Sequence, residues 1–328
     1  MTTAFIGELT TVAETTGSSA VRGVVDRLGR PVSVAVRGRE GVGRGRVTTF
    51  LRRRGVDVCD GGDVCVLVVA EAVKAEDLAM ARAARRPVLV VLTKADLAGA
   101  GPAGPIALAR ERATAVHRHT GIPAVPVVGL LAALHSPGDL EHDLLAALGR
   151  FVTEPPNLGS VDAFVDDPHA VARDVRARLL ARLDRFGIAH AVLALRDGCD
   201  PGRLPSHLAE VGNVDEVMAA LDAVAAPVRY RRMRAAIAEL RALAGRLDDD
   251  DLSELLAADV TAMAMMTAAV DVVTAAGSSV DRGDTAAAHL DRARRWRSYG
   301  RGPVNALHRQ CSADIVRGSL RLWDGQRA

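Results

Sequence analysis

Short valine-rich runs separated by helical stretches constrain the fold of this chain more than any other feature. Apolar strands that alternate with helical segments of about 10 to 17 residues are typical of a parallel sheet with helices on both faces. The sequence therefore predicts an α/β domain over residues 31–155. The runs are VSVAV (32–36), VDVC (56–59), VCVLVV (64–69), VLVVLT (88–93) and IPAVPVV (122–128).

The sequence on either side of this region is helical. Apolar side chains at helical spacing predict one or two leading helices in residues 1–30. Beyond the linker-like PPNLGS the strand signal largely disappears, and residues 156–328 predict an all-α helical domain, with one helix ending at Gly187. The segment 257–276 has the length of a membrane span, but its two aspartates favour a buried helix of a bundle. A chain of 328 residues suggests two domains.

Composition argues against several classes of protein. A net charge of +2 disfavours a DNA-coating protein, and 3% aromatic residues leave few stacking platforms for single-stranded nucleic acid. Four cysteines without CxxC spacing and an N-terminus without a basic region predict a cytoplasmic protein. Arginine and alanine are enriched, as in a high-GC genome such as that of an actinobacterium. Among 42 basic residues the only lysines are Lys74 and Lys94, so each lysine is informative.

A glycine-rich loop follows the first valine-rich run. Gly38 and Gly43 have the spacing of the phosphate loop GxxxxGK[ST], and Gly41 lies between them. Such glycines let backbone N–H groups turn toward phosphate oxygens at the start of a helix. Arg44 stands at the lysine position and Gly45 at the Ser/Thr position, so the usual protein ligand for Mg²⁺ is absent. The alternative is an ordinary glycine-rich turn between a strand and a helix.

The tetrapeptide TKAD directly follows the run VLVVL. Here the chain resembles the P-loop GTPases, which carry [NT]KxD at the end of a hydrophobic strand. The resemblance implies a G-domain-like sheet that binds GTP or GDP at Thr93, Lys94 and Asp96, with the Asp96 carboxylate accepting hydrogen bonds from guanine N1 and N2. The family's last base-contacting turn would correspond to Gly129 and Leu130, without its serine. The alternative is a strand-end turn with a solvated lysine and a helix-capping aspartate.

The motifs that hydrolyse GTP in that family are missing. About 50 residues separate the loop from TKAD, and no threonine stands in a switch loop. The best candidates for the aspartate of the DxxG motif are Asp57 and Asp60, and their spacing is wrong. We therefore predict no catalytic residue, because phosphoryl transfer depends on Mg²⁺ and on positioned groups. The expected function is a degenerate guanine-nucleotide-binding protein or pseudo-GTPase. The alternative is a slow GTPase that a partner subunit completes.

The predicted helical domain suggests a protein partner. Leading helices, a G-like domain and a helical region together resemble the organisation of bacterial dynamin-like proteins. Met263, Met265 and Met266 cannot all face one narrow seam, since adjacent helix positions diverge by about 100°. Either a partner, in a homo- or hetero-oligomer, or other helices of the same chain must cover one of these faces.

Three arginine-rich stretches allow a further alternative. An Arg-rich surface could bind nucleic acid or touch an anionic membrane. Nearby acidic residues favour ordinary solvated helix faces instead. The stretches lie at 52–54, 229–234 and 292–297.

Overall fold

The computed structural model describes residues 2–326. Its elements follow one another along the chain and are numbered in that order. They are α1 (Thr2–Thr15), α2 (Ser19–Gly29), β1 (Val34–Arg37), α3 (Arg44–Arg53), β2 (Val64–Ala70), α4 (Ala75–Ala83), β3 (Val88–Thr93), α5 (Gly104–Thr120), β4 (Ala124–Pro126), α6 (Gly129–Ala132), α7 (His142–Thr153), α8 (Val161–Asp166), α9 (Arg173–Arg196), α10 (Leu204–Val211), α11 (Val214–Leu247), α12 (Asp250–Ala257), α13 (Asp259–Ala275), α14 (Ala286–Arg301) and α15 (Ala306–Gly325).

The chain forms two compact units. One is Ser33–Leu221, and the other combines Met1–Val32 with Asp222–Ala328. The expected division at residues 30 and 155 differs from this one, because the helices of 156–221 group with the sheet. The leading helices group with the C-terminal helices, since α1 packs against α12 and α13. An amphipathic helix is stabilised where its apolar face finds a complementary face, whatever the distance along the chain.

The four strands form one parallel sheet in the order β1-β2-β3-β4. On one face, Leu67 and Val69 of β2 belong to a cluster with Ala81 of α4 and Ala113 of α5. The intervening positions of β2 point to the opposite face and are also fully buried. The expected parallel α/β sheet with an all-α helical region is confirmed. The predicted strand at 56–59 is wrong, since only Val58 forms a bridge, to Val34.

Glycine marks close packing rather than a helix end in α9. This helix continues through Gly187, where a Cβ atom would lie 2.6 Å from Cδ2 of Leu131. The non-helical residue is Asp184 instead, with φ 56° and ψ 174°. The prediction that the helix ends at Gly187 is therefore wrong, and a tertiary contact explains the glycine.

The segment expected as one long helix near the C-terminus is broken into α12 and α13. Within residues 2–326 no single helix is long and apolar enough to cross a membrane. The pair α12 and α13, bent by 49°, meets the criterion only together and only by length and composition.

The three methionines of α13 are packed by helices of the same unit. Met263 and Met265 are buried, and the Met266 side chain lies against Gly318 of α15. Helices α1, α12 and α15 all pack against α13. The internal neighbours thus account for the apolar surplus, which no longer argues for a partner.

We expect Met266→Glu to lower the free energy of unfolding by about 1 to 3 kcal/mol, because a carboxylate would replace an apolar contact between α13 and α15. Urea unfolding followed by tryptophan fluorescence measures this, since Trp296 and Trp323 both belong to this unit. Leu320→Glu is the matched control, because Leu320 on α15 is exposed. Equal unfolding midpoints for the two variants would contradict the internal packing role of Met266.

Candidate functional site

The glycine loop, residues 38–43, connects the carboxyl end of β1 to the first turn of α3. Gly38 has φ 147° and Gly43 has φ 91°, backbone angles that residues other than glycine rarely adopt. A Cβ atom on Gly38 would also overlap the carbonyl oxygen of Val68 in β2. These glycines are therefore required by the backbone path, and Gly41 lies exposed between them.

The backbone N–H groups of the loop are free to bind an anion. Within residues 2–326, none of the N–H groups of residues 39–45 donates a hydrogen bond. The side chains of Arg44 and Arg46 are exposed and form no ion pair with the described residues. Unpaired N–H groups at a helix start, next to two guanidinium groups, favour phosphate. Gly45, in the first turn of α3, has open space around it.

Thr93 joins the glycine loop to the end of β3. The side chain is 5% exposed, and its hydroxyl donates to the carbonyl oxygen of Val42 at 2.6 Å. A Cβ atom on Gly43 would lie 3.7 Å from Cγ2 of Thr93. The structure thus brings the loop and TKAD together, and it gives Thr93 a role in holding the loop.

Lys94 and Asp96 follow Thr93 at the same edge of the sheet. Lys94 is exposed and has a left-handed backbone, with φ 59°. Asp96 lies half-buried in a short turn, Ala95–Leu97. Burial raises the pKa of the Asp96 carboxyl above its ordinary value, and the charge of Asp184 adds to the rise. A backbone hydrogen bond and the Lys94 ammonium oppose this rise in the pKa.

The turn at Gly129 and Leu130 completes the site. Gly129 begins α6 and lies next to Arg46 of α3, with 3.7 Å between its Cβ position and the arginine Cβ. The N–H of Ala95 donates to the carbonyl oxygen of Val127 at 3.3 Å, which links this turn to TKAD. All the residues expected to bind a nucleotide therefore lie on three segments that meet at the carboxyl edge of the sheet. We call Lys94, Asp96 and the turn at Gly129 and Leu130 the base end.

Asn213 contacts the segment that leads into the base end, and no sequence motif pointed to it. It is 5% exposed, and its Nδ2 donates to the carbonyl oxygen of Pro126 at 2.8 Å. Its Oδ1 accepts from Arg110 at 2.8 Å. The neighbouring Gly212 accepts a hydrogen bond from the N–H of Val128. Only the fold brings these residues to the end of β4.

Arg39 and Asp77 form a second feature that sequence reasoning missed. Arg39 Nε lies 2.9 Å from Oδ1 of Asp77, and Arg39 Nη2 lies 3.3 Å from Oδ2. Asp77 is fully buried, and it also accepts from the backbone N–H of Lys74 at 2.9 Å. The pattern KAED indicates a capping aspartate. It does not indicate a partner 38 residues earlier.

The residues present do not fit a protein-bound Mg²⁺. Gly45 has no hydroxyl, and the nearby Thr49 hydroxyl donates to the Gly45 carbonyl oxygen at 2.9 Å. No group of three His, Cys, Asp or Glu side chains within the described chain is arranged to hold a metal. Asp57 lies beside the start of β1, where its carbonyl oxygen accepts from Val34. Asp60 is exposed and pairs with Arg37 at 3.5 Å.

None of the protein-family models, curated proteins or solved structures compared with the chain matches it. The function is therefore inferred from the chemistry of the site. Free backbone N–H groups and unpaired guanidinium groups suit phosphate oxygens. A half-buried carboxylate suits the N–H donors of a base edge.

Proposed function

We propose that the unit Ser33–Leu221 binds a guanine nucleotide at the carboxyl edge of its sheet and acts as a pseudo-GTPase. The supporting observation is the Thr93 hydrogen bond to Val42, at 2.6 Å, which joins the glycine loop to TKAD. Two motifs that are far apart in the sequence lie next to each other in the fold, which supports a single nucleotide with its phosphates on the loop and its base beside Asp96. Ligands of open α/β sheets bind beyond the carboxyl ends of the strands.

The phosphates would lie against the free N–H groups of residues 39–45, with Arg44 and Arg46 compensating their charge. Arg44 is a planar guanidinium, so it can form two parallel hydrogen bonds to an exposed phosphate but does not replace a compact ammonium. The base would lie along the Lys94 stem, with its N1 and N2 donors directed at Asp96. The N–H groups of Gly129 and Leu130 donate no hydrogen bond within residues 2–326, and they would face the guanine oxygen.

Calorimetry with GDP, GTP, ADP and ATP, each with and without Mg²⁺, tests this proposal. We expect GDP and GTP to bind and the adenine nucleotides to bind far more weakly, because adenine lacks the N1–H and N2 donors that Asp96 accepts. Since Gly45 lacks the hydroxyl that ligates Mg²⁺ in phosphate loops, the metal should strengthen GDP binding little. Equal affinities for GDP and ADP would refute a guanine site.

GTP hydrolysis by the isolated protein is expected to stay at the level of a buffer blank. Gly45 provides no hydroxyl for Mg²⁺, and the DxxG motif and switch threonine that would help to position an attacking water are missing from the sequence. A phosphate-release assay at saturating GTP measures this. Turnover above the blank that disappears in Arg44→Ala would assign the protein to the slow GTPases instead. A wild-type rate that rises only with an added partner would show that a second subunit completes the site.

The output of the nucleotide would be contact with a protein partner. Leu97 directly follows Asp96, and its side chain is 59% exposed. A partner that contacts this turn would sense whether the base end is filled. Light scattering with and without GDP tests whether the nucleotide changes the association of copies of this chain.

A further inference from the structure

The glycine loop has no compact cation of its own. Arg44 stands where phosphate loops carry lysine, and Arg39 is already paired with the buried Asp77 at 2.9 Å. An ammonium is a compact point charge with three donors, which suits a crowded phosphate better than a guanidinium does. The chain contains only two lysines, and Lys94 lies at the base end. Lys74 is therefore the lysine left to consider.

One carboxylate connects Lys74 to the glycine loop. Oδ2 of Asp77 accepts from the backbone N–H of Lys74 at 2.9 Å, while Oδ1 accepts from Arg39 Nε at 2.9 Å. The Asp77 carboxylate therefore bridges the Lys74 backbone N–H and the Arg39 guanidinium. Lysine carries its ammonium on a flexible four-carbon stem, and the Lys74 backbone lies next to the carboxylate that holds Arg39 of the loop.

The strands support the same placement. Lys74 follows β2, and β2 pairs with both β1 and β3, which carry the loop and TKAD. The loop approaches β2 so closely that a Cβ atom on Gly38 would overlap the Val68 carbonyl oxygen. Lys74 is exposed, and its ammonium has no hydrogen bond or ion pair within residues 2–326. Glu71 and Glu76 are the acidic residues beside it in the sequence, and both are exposed.

We propose that Lys74 binds the phosphate groups of the nucleotide, supplying from the segment after β2 the ammonium that the glycine loop lacks. This inference rests on the proposed function. It also makes Asp77 a positioning residue, because its carboxylate bonds both to Arg39 of the loop and to the backbone N–H of Lys74. The two lysines would then contact different parts of the nucleotide, with Lys74 at the phosphates and Lys94 at the base.

Lysine acetylation by an N-hydroxysuccinimide ester tests the inference on the wild-type protein. Lys74, Lys94 and the N-terminal amine are the only primary amines, so peptide mass spectrometry reads each rate separately. We expect GDP to slow acetylation at both lysines, pyrophosphate to slow it at Lys74 alone, and guanosine to slow it at Lys94 alone.

The outcomes separate this inference from the proposed function. GDP protection of Lys94 without Lys74 would overturn the role of Lys74 and leave the guanine site intact. Pyrophosphate protection of Lys74 with no effect of GDP on Lys94 would support the phosphate contact and count against the guanine site. If neither GDP nor pyrophosphate slows acetylation of Lys74, the inference is wrong whatever happens at Lys94.

A matched pair of variants gives a second test by calorimetry. Lys74→Met should weaken GDP binding at least about tenfold and leave guanosine binding unchanged, because only the phosphate contact is lost. Arg82→Met removes a cation from the far end of the same helix, and it should leave GDP affinity unchanged. Equal GDP affinities for the wild type and Lys74→Met would overturn the inference.

Discussion

Asp96→Ala is expected to weaken GDP binding by about 10- to 150-fold, since hydrogen bonds to a charged group contribute roughly 1.5 to 3 kcal/mol and each 1.36 kcal/mol is a factor of ten. In the proposed complex the carboxylate would accept both guanine donors, and its half-buried position would limit competition from water. Calorimetry with the wild type and the variant measures the ratio. ADP provides the control, because adenine does not present these donors and its weak binding should not change.

If Asp96 binds guanine as proposed, GDP binding should depend on pH. Burial and the charge of Asp184 raise the pKa of Asp96, so this group takes up a proton at a higher pH than an ordinary aspartate. Only the ionised form accepts both donors. GDP affinity should therefore fall as the pH is lowered through this raised pKa, and the fall should be absent in Asp96→Ala. A wild-type profile parallel to that of the variant would contradict this role of Asp96.

Asp96→Asn separates lost binding from lost folding. Because the folded-state pKa of Asp96 is raised, its ionised form favours the unfolded state at neutral pH. The neutral amide removes that cost, so the variant should unfold at a urea concentration no lower than the wild type. Weakened GDP binding without lost stability would assign the effect to the base contact.

Gly38→Ala is expected to destabilise the Ser33–Leu221 unit by about 1 to 3 kcal/mol and to abolish nucleotide binding, because its backbone conformation is costly for any other residue. The added Cβ atom would also press on the Val68 carbonyl oxygen in β2. Hydrogen exchange of the β1 and β2 amides should accelerate in this variant. This readout does not depend on any nucleotide.

Gly45→Ala is the matched control for that substitution. Gly45 stands at the Ser/Thr position of the phosphate-loop pattern, and a Cβ atom on it meets nothing within 4 Å. Alanine in a helical turn is favoured over glycine by up to about 1 kcal/mol, so exchange in β1 and β2 should be unchanged or slower. Equal acceleration in both variants would mean that the close approach of Gly38 to β2 does not determine the loop.

Elements with a strong local signal could be predicted from the sequence. The valine-rich run at 88–93 became β3 with the predicted bounds, because a buried parallel strand needs a continuous apolar segment. The spacing of Gly38 and Gly43 also predicted the loop, because both positions have backbone angles that favour glycine. Both motifs directly follow strands of a parallel sheet, and the carboxyl ends of such strands lie at one edge.

Features that depend on a partner far away in the sequence could be seen only in the folded chain. The valine run at 56–59 does not form a strand. It contributes one isolated bridge, between Val58 and Val34 of β1. The glycine at position 187 is explained by its close packing against Leu131, and not by a helix end. The ion pair of Arg39 with Asp77 joins residues that no local pattern connects. Such choices depend on which side chains the folded chain brings together, and the energy of each contact exists only after both partners are in place.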